Sequence, residues 1–204
     1  MSTYIVFDTE TTGLPPRGNV TEKNWRDWDK CRIVQLAWEV HASSLCDAPL
    51  VQRSYIVKPD GFTVPREVVA IHGISTQRAL AEGVPIARVI DEFIGDISQY
   101  RVSTAVAHNM SFDDNVLLAE LYRIESELAP AAEVDSVATW KSLTKECTMR
   151  LGTKPGGRWP KLDALYKDMC GPLDPDVKLH DAGTDTRLCA EIYRALKAKA
   201  ELRT

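Results

Sequence analysis

Asp8 and Glu10 stand two residues apart at the end of an apolar run, Tyr4 to Phe7, which a turn signal closes at Gly13, Pro15 and Pro16. Residues two apart in a strand share a face, so both carboxylates would leave the sheet on one side, about 6–7 Å apart at the backbone. Like charges beside a core are costly unless a cation sits between them, and a divalent metal answers that need. An isolated Asp-x-Glu is more commonly a pair of solvated strand-end acids, so the rest of the chain has to decide.

Two further acids interrupt apolar stripes. Asp113 lies four residues before Leu117, on the helical face that also carries Leu121. Ser111 and Asp114 match a capping box, which puts Asp113 in a first turn pointing at the sheet. Asp185 precedes Leu188, Cys189 and Ile192 by three, four and seven residues, again at a helix start. Singly, each reads as well as a capping acid relieved by the helix dipole. Four inward carboxylates in a neutral core, however, would be strongly destabilising. Oxygen ligands of this kind suit Mg²⁺ or Mn²⁺, and two such ions about 3.5–4 Å apart clamp a phosphodiester for in-line attack. His180, five residues before Asp185, falls in the loop that enters such a site. There an imidazole, which titrates near neutrality, could take a proton from a water at the metals. A lone loop histidine is more often a bystander; the spacing to Asp185 is what singles this one out.

The elements that must position these groups follow from periodicity. Ile33–Val40 and Val51–Val57 read as an antiparallel hairpin that joins the first strand. Helices are predicted at Pro65–Ala70, at Thr76–Ala81 behind a Ser75 cap, and after Pro85, where Ile86, Val89, Ile90, Phe93, Ile94 and Ile97 share a face. Ser103–Ala107 is a buried strand and Phe112–Leu128 a helix with Leu117, Leu121, Ile124 and Leu128 inward. A short strand at Ala132–Asp135, a helix over Ser136–Lys145, a Gly/Pro-rich basic loop over Met149–Trp159 and helices at Lys161–Cys170 and Thr184–Leu202 complete the chain. Strands in a hairpin, then strands alternating with helices, predict an α/β mixed sheet covered on both faces.

The bulk numbers exclude little but bound the answer. The 204 residues suit one domain, 1–204, with a polar connection over 14–30 that carries Trp25 and Trp28. Those tryptophans either pack back on the body or stack a base. No apolar stretch reaches about 18 residues and nothing marks export, so a cytoplasmic protein with no membrane partner is expected. The cysteines (Cys31, Cys46, Cys147, Cys170 and Cys189) are odd in number, widely spaced and without a Cys-x-x-Cys pair, and read as free thiols. A net charge of −4 argues against a nonspecific polyanion trap, though not against an enzyme that grips a strand end through bound metals.

Three stretches carry a resemblance. Phe7-Asp-Thr-Glu-Thr-Thr-Gly13, His108-Asn-Met-Ser-Phe-Asp113 and His180-Asp-Ala-Gly-Thr-Asp185 resemble, in order and spacing, the three motifs of the DEDDh family of 3′→5′ exonucleases. Ile33-Val-Gln-Leu-Ala37 and Ile71-His-Gly-Ile-Ser75 match flanking pieces, so the likeness covers nearly the whole chain. It implies a ribonuclease-H-like fold, a five-stranded mixed sheet in the order 3-2-1-4-5 with helices on both sides. It also implies release of nucleoside monophosphates from a 3′ end, with two Mg²⁺ or Mn²⁺ ions per site. By resemblance Asp8 bridges both ions, Glu10 and Asp185 hold the nucleophile-side ion, Asp113 holds the other, and His180 is the general base. Thr11 and Thr12 meet the terminal nucleotide through backbone and hydroxyl groups, Leu14 wedges beside the last base, His72 and Phe112 line the base pocket, and Asn109 orients the second motif.

The departures bear on substrate and partners. The connection after Gly13 is longer than in compact relatives, and no tail resembling a polymerase-tethering segment follows the last predicted helix, which favours a stand-alone enzyme on single-stranded or frayed DNA. The same chemistry on RNA, of the ribonuclease T or oligoribonuclease type, is the near alternative. A noncatalytic nucleic-acid-binding partner of a polymerase is a distant one, since no catalytic position is missing. A protein partner docking through Trp25 and Trp28 is compatible with activity, and the oligomeric state is open. Lys145, Arg150, Lys154, Arg158 and Lys161, with Trp159, form a basic-aromatic stretch placed to contact a phosphate backbone.

Overall fold

The computed structural model describes residues 2–42, 48–127 and 135–202. Its sheet is built from β1 (Thr3–Thr11), β2 (Ile33–Ala42), β3 (Val51–Ile56), β4 (Val102–Ala107) and β5 (Thr144–Cys147), in the order β3-β2-β1-β4-β5. β1 runs antiparallel to β2 and parallel to β4, so the carboxyl ends of β1 and β4 lie at one end of the sheet. This is the ribonuclease-H-like arrangement expected from the motifs.

Helices cover both faces: α1 (Arg66–His72), α2 (Thr76–Glu82), α3 (Ile86–Gln99), α4 (Met110–Glu127), α5 (Ser136–Ser142), α6 (Thr148–Leu151), α7 (Leu162–Met169) and α8 (Ala182–Glu201). β1 alternates strictly between them. Ile5 and Phe7 join the larger core with Trp38, Phe93 and Trp140, where the Phe7 and Trp140 rings meet edge-on at 5.1 Å and those of Trp38 and Phe93 at 5.2 Å. Tyr4 and Val6 pack on the opposite side against Cys189, Ala190 and Tyr193 of α8. A strand that is apolar on both faces can only be central, and each of these large side chains stabilises the fold by about 1.5–3 kcal/mol through burial. The same alternation carries Asp8 and Glu10 out on the α8 side and Thr9 on the α4 side.

Three expectations need correction. The fifth strand is Thr144–Cys147, and the helix expected over Ser136–Lys145 stops at Ser142. β5 is an edge strand paired only with β4, so its polar Thr-Lys-Glu-Cys sequence needs no apolar run. Most of the strand expected at Ala132–Asp135 lies outside the described residues, as do Leu128 and Cys46; Cys31, Cys147, Cys170 and Cys189 are free thiols. Ser111 does not cap α4: the helix begins at Met110, and Ser111 Oγ donates instead to Asn109 Oδ1 at 3.4 Å. The basic loop after Met149 begins as the helical turn α6.

In the connection over 14–30 the tryptophans take the first of the two readings and pack back on the body. Trp25 and Trp28, in a 3₁₀ turn spanning Trp25–Lys30, are 7% and 2% exposed and belong to the core. Neither is available to a base or a partner. An ionic network, largely buried except at Asp29, fastens this connection to α4: Glu120, 1% exposed, pairs with Arg32 at 2.8 Å and with Arg123, and Arg123 reaches the exposed Asp29 at 2.6 Å. Asn115 Oδ1 accepts from the Val20 amide at 2.7 Å.

Candidate active site

The carboxyl end of β1 delivers Asp8 and Glu10, the first turn of α4 delivers Asp113, and the first turn of α8 delivers Asp185. Both helices start beside the strand end, so all four acids converge. Ligand atoms of Glu10, His180 and Asp185 lie within 4.8 Å of one another. Asp8 and Asp113 stand outside that tight group but oppose its charge. Burial, then Asp113, Asp185, Glu10 and Asp181 in turn, drive the Asp8 carboxyl well above the ordinary range. Burial followed by Asp185 pushes Glu10 up to about 8. Burial raises Asp113 to about 7 against two hydrogen bonds from Thr9, and raises Asp185 to about 6 against the amide and charge of His180.

A cluster that holds its protons so firmly lacks positive charge. Asp185 Oδ2 accepts from the His180 amide at 3.2 Å, whereas its Oδ1 is buried and meets no donor among the described residues. An orphaned carboxylate oxygen among three other inward acids fits a hard divalent cation. His180 itself is exposed, with φ +60, a left-handed backbone that L residues adopt only where the surroundings enforce it. Here the amide bond to Asp185 supplies that constraint.

Three residues that sequence reasoning passed over complete the scaffold. Thr9 holds Asp113. Asp181 caps α8 through the Thr184 amide at 3.0 Å and adds a fifth acid near the cluster. Gln35 donates to Asp181 at 3.1 Å and accepts from the Ala182 amide at 3.1 Å, fixing the start of α8 to β2. Gln35 was legible as the polar residue inside the Ile33–Ala37 run, and Asp181 as an Asp three residues before Thr184 at a helix start.

The remaining expected residues surround this centre unevenly. Thr11 donates its hydroxyl proton to the Gly13 carbonyl at 2.8 Å, and Thr12 to the Lys30 carbonyl at 3.0 Å while accepting from the Arg32 amide at 2.9 Å. Leu14 is 86% exposed. His72 is buried, accepts from the Ile74 amide at 3.0 Å, and lies against the Thr11 backbone; burial lowers its pKa. Asn109, at φ +64, accepts from the Phe112 amide at 2.8 Å through its carbonyl, turning the chain into α4, and Phe112 packs half-buried on the core. Lys145 does not join an exposed basic stretch. Its ammonium sits 3.0 Å from the Trp140 ring centroid and donates to the Trp140 carbonyl at 2.7 Å, and burial lowers its pKa to about 7.

The RNase_T exonuclease family matches the chain over residues 5–193. The DNA polymerase III subunit epsilon of Rickettsia conorii is 30% identical over an alignment of 197 positions that covers 93% of this chain and 71% of that protein. A DNA polymerase III of PolC type from Thermotoga petrophila is 26% identical over 193 residues, 94% of this chain and 12% of that one. Among solved structures, exonuclease I superimposes with a TM-score of 0.70 at 20% identity, covering 97% of this chain and 41% of that one. E. coli exonuclease I in complex with a dT13 oligonucleotide gives the same score and identity over the whole of this chain and 42% of that one. This chain therefore spans about two fifths of the exonuclease I chains. The family match and the relatives define an enzyme of the 3′→5′ exonuclease class, of the DEDDh kind, in a family that is metal-dependent. The chain belongs to the RNase_T exonuclease family. Among the described residues no helix is long and apolar enough to cross a membrane.

Proposed function

We propose that this chain removes nucleoside 5′-monophosphates, one at a time, from the 3′ end of single-stranded or frayed DNA. The observation that carries the reading is Asp185 Oδ1, buried and unpartnered among four acids whose pKa values are all raised. Two Mg²⁺ or Mn²⁺ ions per site would supply the missing charge and stabilise the negative charge that builds on the scissile phosphate. Asp8, whose charge is opposed by each of the other three, suits the bridging position; Glu10 and Asp185 suit the nucleophile side and Asp113 the other. His180, exposed and fixed through its amide to Asp185, takes the proton of the attacking water.

The residues past Glu10 hold the strand end. Leu14, apolar and almost fully exposed, wedges beside the last base, and His72 and Phe112 line the base pocket. Thr11 and Thr12 have given their hydroxyl protons to the protein, so they meet the nucleotide with backbone atoms and oxygen lone pairs. Asn109 orients the second motif. DNA is favoured over RNA by the relatives, a DNA polymerase III subunit and an exonuclease I solved with dT13. The first of these also points to a polymerase as protein partner. Residues 1–204 serve as one exonuclease domain.

End-labelled oligonucleotide incubated with pure protein and Mg²⁺ should shorten from the 3′ end in single-nucleotide steps. Persistence of that ladder in Asp8→Ala would sink the assignment, and matched DNA and RNA oligomers would rank the two substrates.

A further inference from the structure

Five tryptophans are distributed unequally. Trp25, Trp28, Trp38 and Trp140 are buried, whereas Trp159 is 67% exposed. A lone exposed aromatic is ordinary on a protein surface, so it is the neighbourhood that has to single one out. That of Trp159 does. Arg158, Lys161 and Arg150 are exposed and make no ion pair among the described residues, on a chain whose net charge is −4. Lys154, by contrast, is paired with Asp168 at 3.3 Å.

The loop is also anchored. Gly156, at φ +72, and a hydrogen bond from the Gly157 amide to the Lys154 carbonyl at 2.8 Å close a tight turn just before Arg158. On the other side, His108 clamps the loop: its Nε2 meets the Pro160 carbonyl at 3.1 Å and its Nδ1 meets Thr148 Oγ1 at 2.9 Å. With Nδ1 accepting from the threonine hydroxyl, Nε2–H donates to the carbonyl. His108 directly follows Ala107, the last residue of β4, whose carboxyl end lies beside that of β1. Trp159 is thus held at the same end of the sheet as Asp8 and Glu10, by the histidine that opens the second acid motif.

We propose that Trp159 stacks a base of the single strand on the 5′ side of the cleaved nucleotide, with Arg158 and Lys161 on the adjoining phosphates. Every base offers a π-face to a ring, and guanidinium and ammonium groups meet the backbone, so the contact is sequence-tolerant. The terminal nucleotide lies with the acids, so a platform outside them receives only the upstream strand. This rests on the exonuclease reading for its direction, though not for its binding chemistry.

The test uses the full chain in EDTA, where cleavage stops, with oligothymidylate and oligouridylate 12-mers as probes. Iodide quenches the one exposed tryptophan, and a bound 12-mer should protect it. Trp159→Ala should abolish both the iodide-sensitive emission and its protection. In Mg²⁺, that variant should raise the KM for the 12-mer about 5- to 150-fold, the worth of one stacked base, and leave turnover of the p-nitrophenyl ester of thymidine 5′-monophosphate, which has no upstream base, unchanged. Trp159→Phe should keep most of the affinity. A saturating 12-mer that leaves Trp159 fully quenchable overturns the proposal, as does a 12-mer that binds nowhere. Equal loss on the p-nitrophenyl ester and the 12-mer would also overturn it, because that is a folding or catalytic defect. Protection without any cleavage would instead leave the platform standing and remove the exonuclease reading.

Discussion

Thr9 donates twice to Asp113: its amide reaches Oδ1 at 3.0 Å and its hydroxyl at 2.7 Å. A strand residue on the α4 face thus fixes an acid that comes from a helix, and both bonds favour the ionised carboxylate. Thr9→Val keeps the shape and removes the hydroxyl. It should weaken Mg²⁺ binding about 10-fold, the usual effect of losing a hydrogen bond behind a metal ligand. Titration calorimetry would read this, and Thr9→Ser should restore the affinity.

The raised carboxyls set the pH dependence of stability. Glu10, Asp113 and Asp185 have folded-state pKa values of about 8, 7 and 6, above the ordinary carboxylate range that the unfolded chain would show. The folded protein therefore binds more protons than the unfolded chain between about pH 4 and 8, so stability falls as pH rises through that window. In EDTA the Tm should drop by several degrees between pH 5 and 8.5. Saturating Mg²⁺ should flatten or invert the trend, because cation and protons compete for the same oxygens. A Tm in EDTA that climbs toward pH 8.5 would contradict the charge cluster.

Asp8→Asn removes the most strongly opposed charge. Turnover should fall at least 1,000-fold, roughly the loss expected when a metal's charge stabilisation fails. The metal-free protein should nevertheless melt several degrees higher than the parent, because repulsion and desolvation are both relieved. Calorimetry in EDTA with a parallel activity assay would show the opposite signs.

His180 is separable from the acids. His180→Ala should slow turnover about 100- to 10,000-fold while metal affinity stays within a few-fold, as a proton acceptor predicts. Its ring lies within 4.8 Å of Glu10 and Asp185 ligand atoms, so a large loss of metal affinity in the same variant would make it a ligand instead.

Trp28→Ala should cost about 3–5 kcal/mol, read as a lower urea midpoint, because the ring is part of the core. Deleting 18–29 should fail for the same reason, whether or not a partner exists.

Much of the centre was readable in advance because acids on apolar stripes violate the pattern around them. Asp113 and Asp185 each broke a helical stripe, Asp8 and Glu10 shared a face at the end of an apolar strand, and the order of the sheet came from the family that their motifs resemble. Thr9 did not stand out, since a threonine in a strand breaks no rule; only the approach of α4 gives it a role. β5 was misplaced because an edge strand with one neighbour can be polar, and the apolar signal that marks buried strands is absent from it. Trp25 and Trp28 were ambiguous for a different reason. A tryptophan among charges looks exposed until Arg26 and Arg123 are seen to lie over the Trp25 ring, at 4.2 and 5.3 Å.

The Glu120 network has a mechanical consequence. Arg32, Glu120, Arg123 and Asp29, with Asn115 and Val20, join the segment that follows Leu14 to the helix that carries Asp113. Peeling either away alone would strand a buried charge, so the two open together or stay shut. In hydrogen exchange, the Val20 amide and the amides of mid-α4 should share one opening free energy, and the cleft works with one rigid jaw.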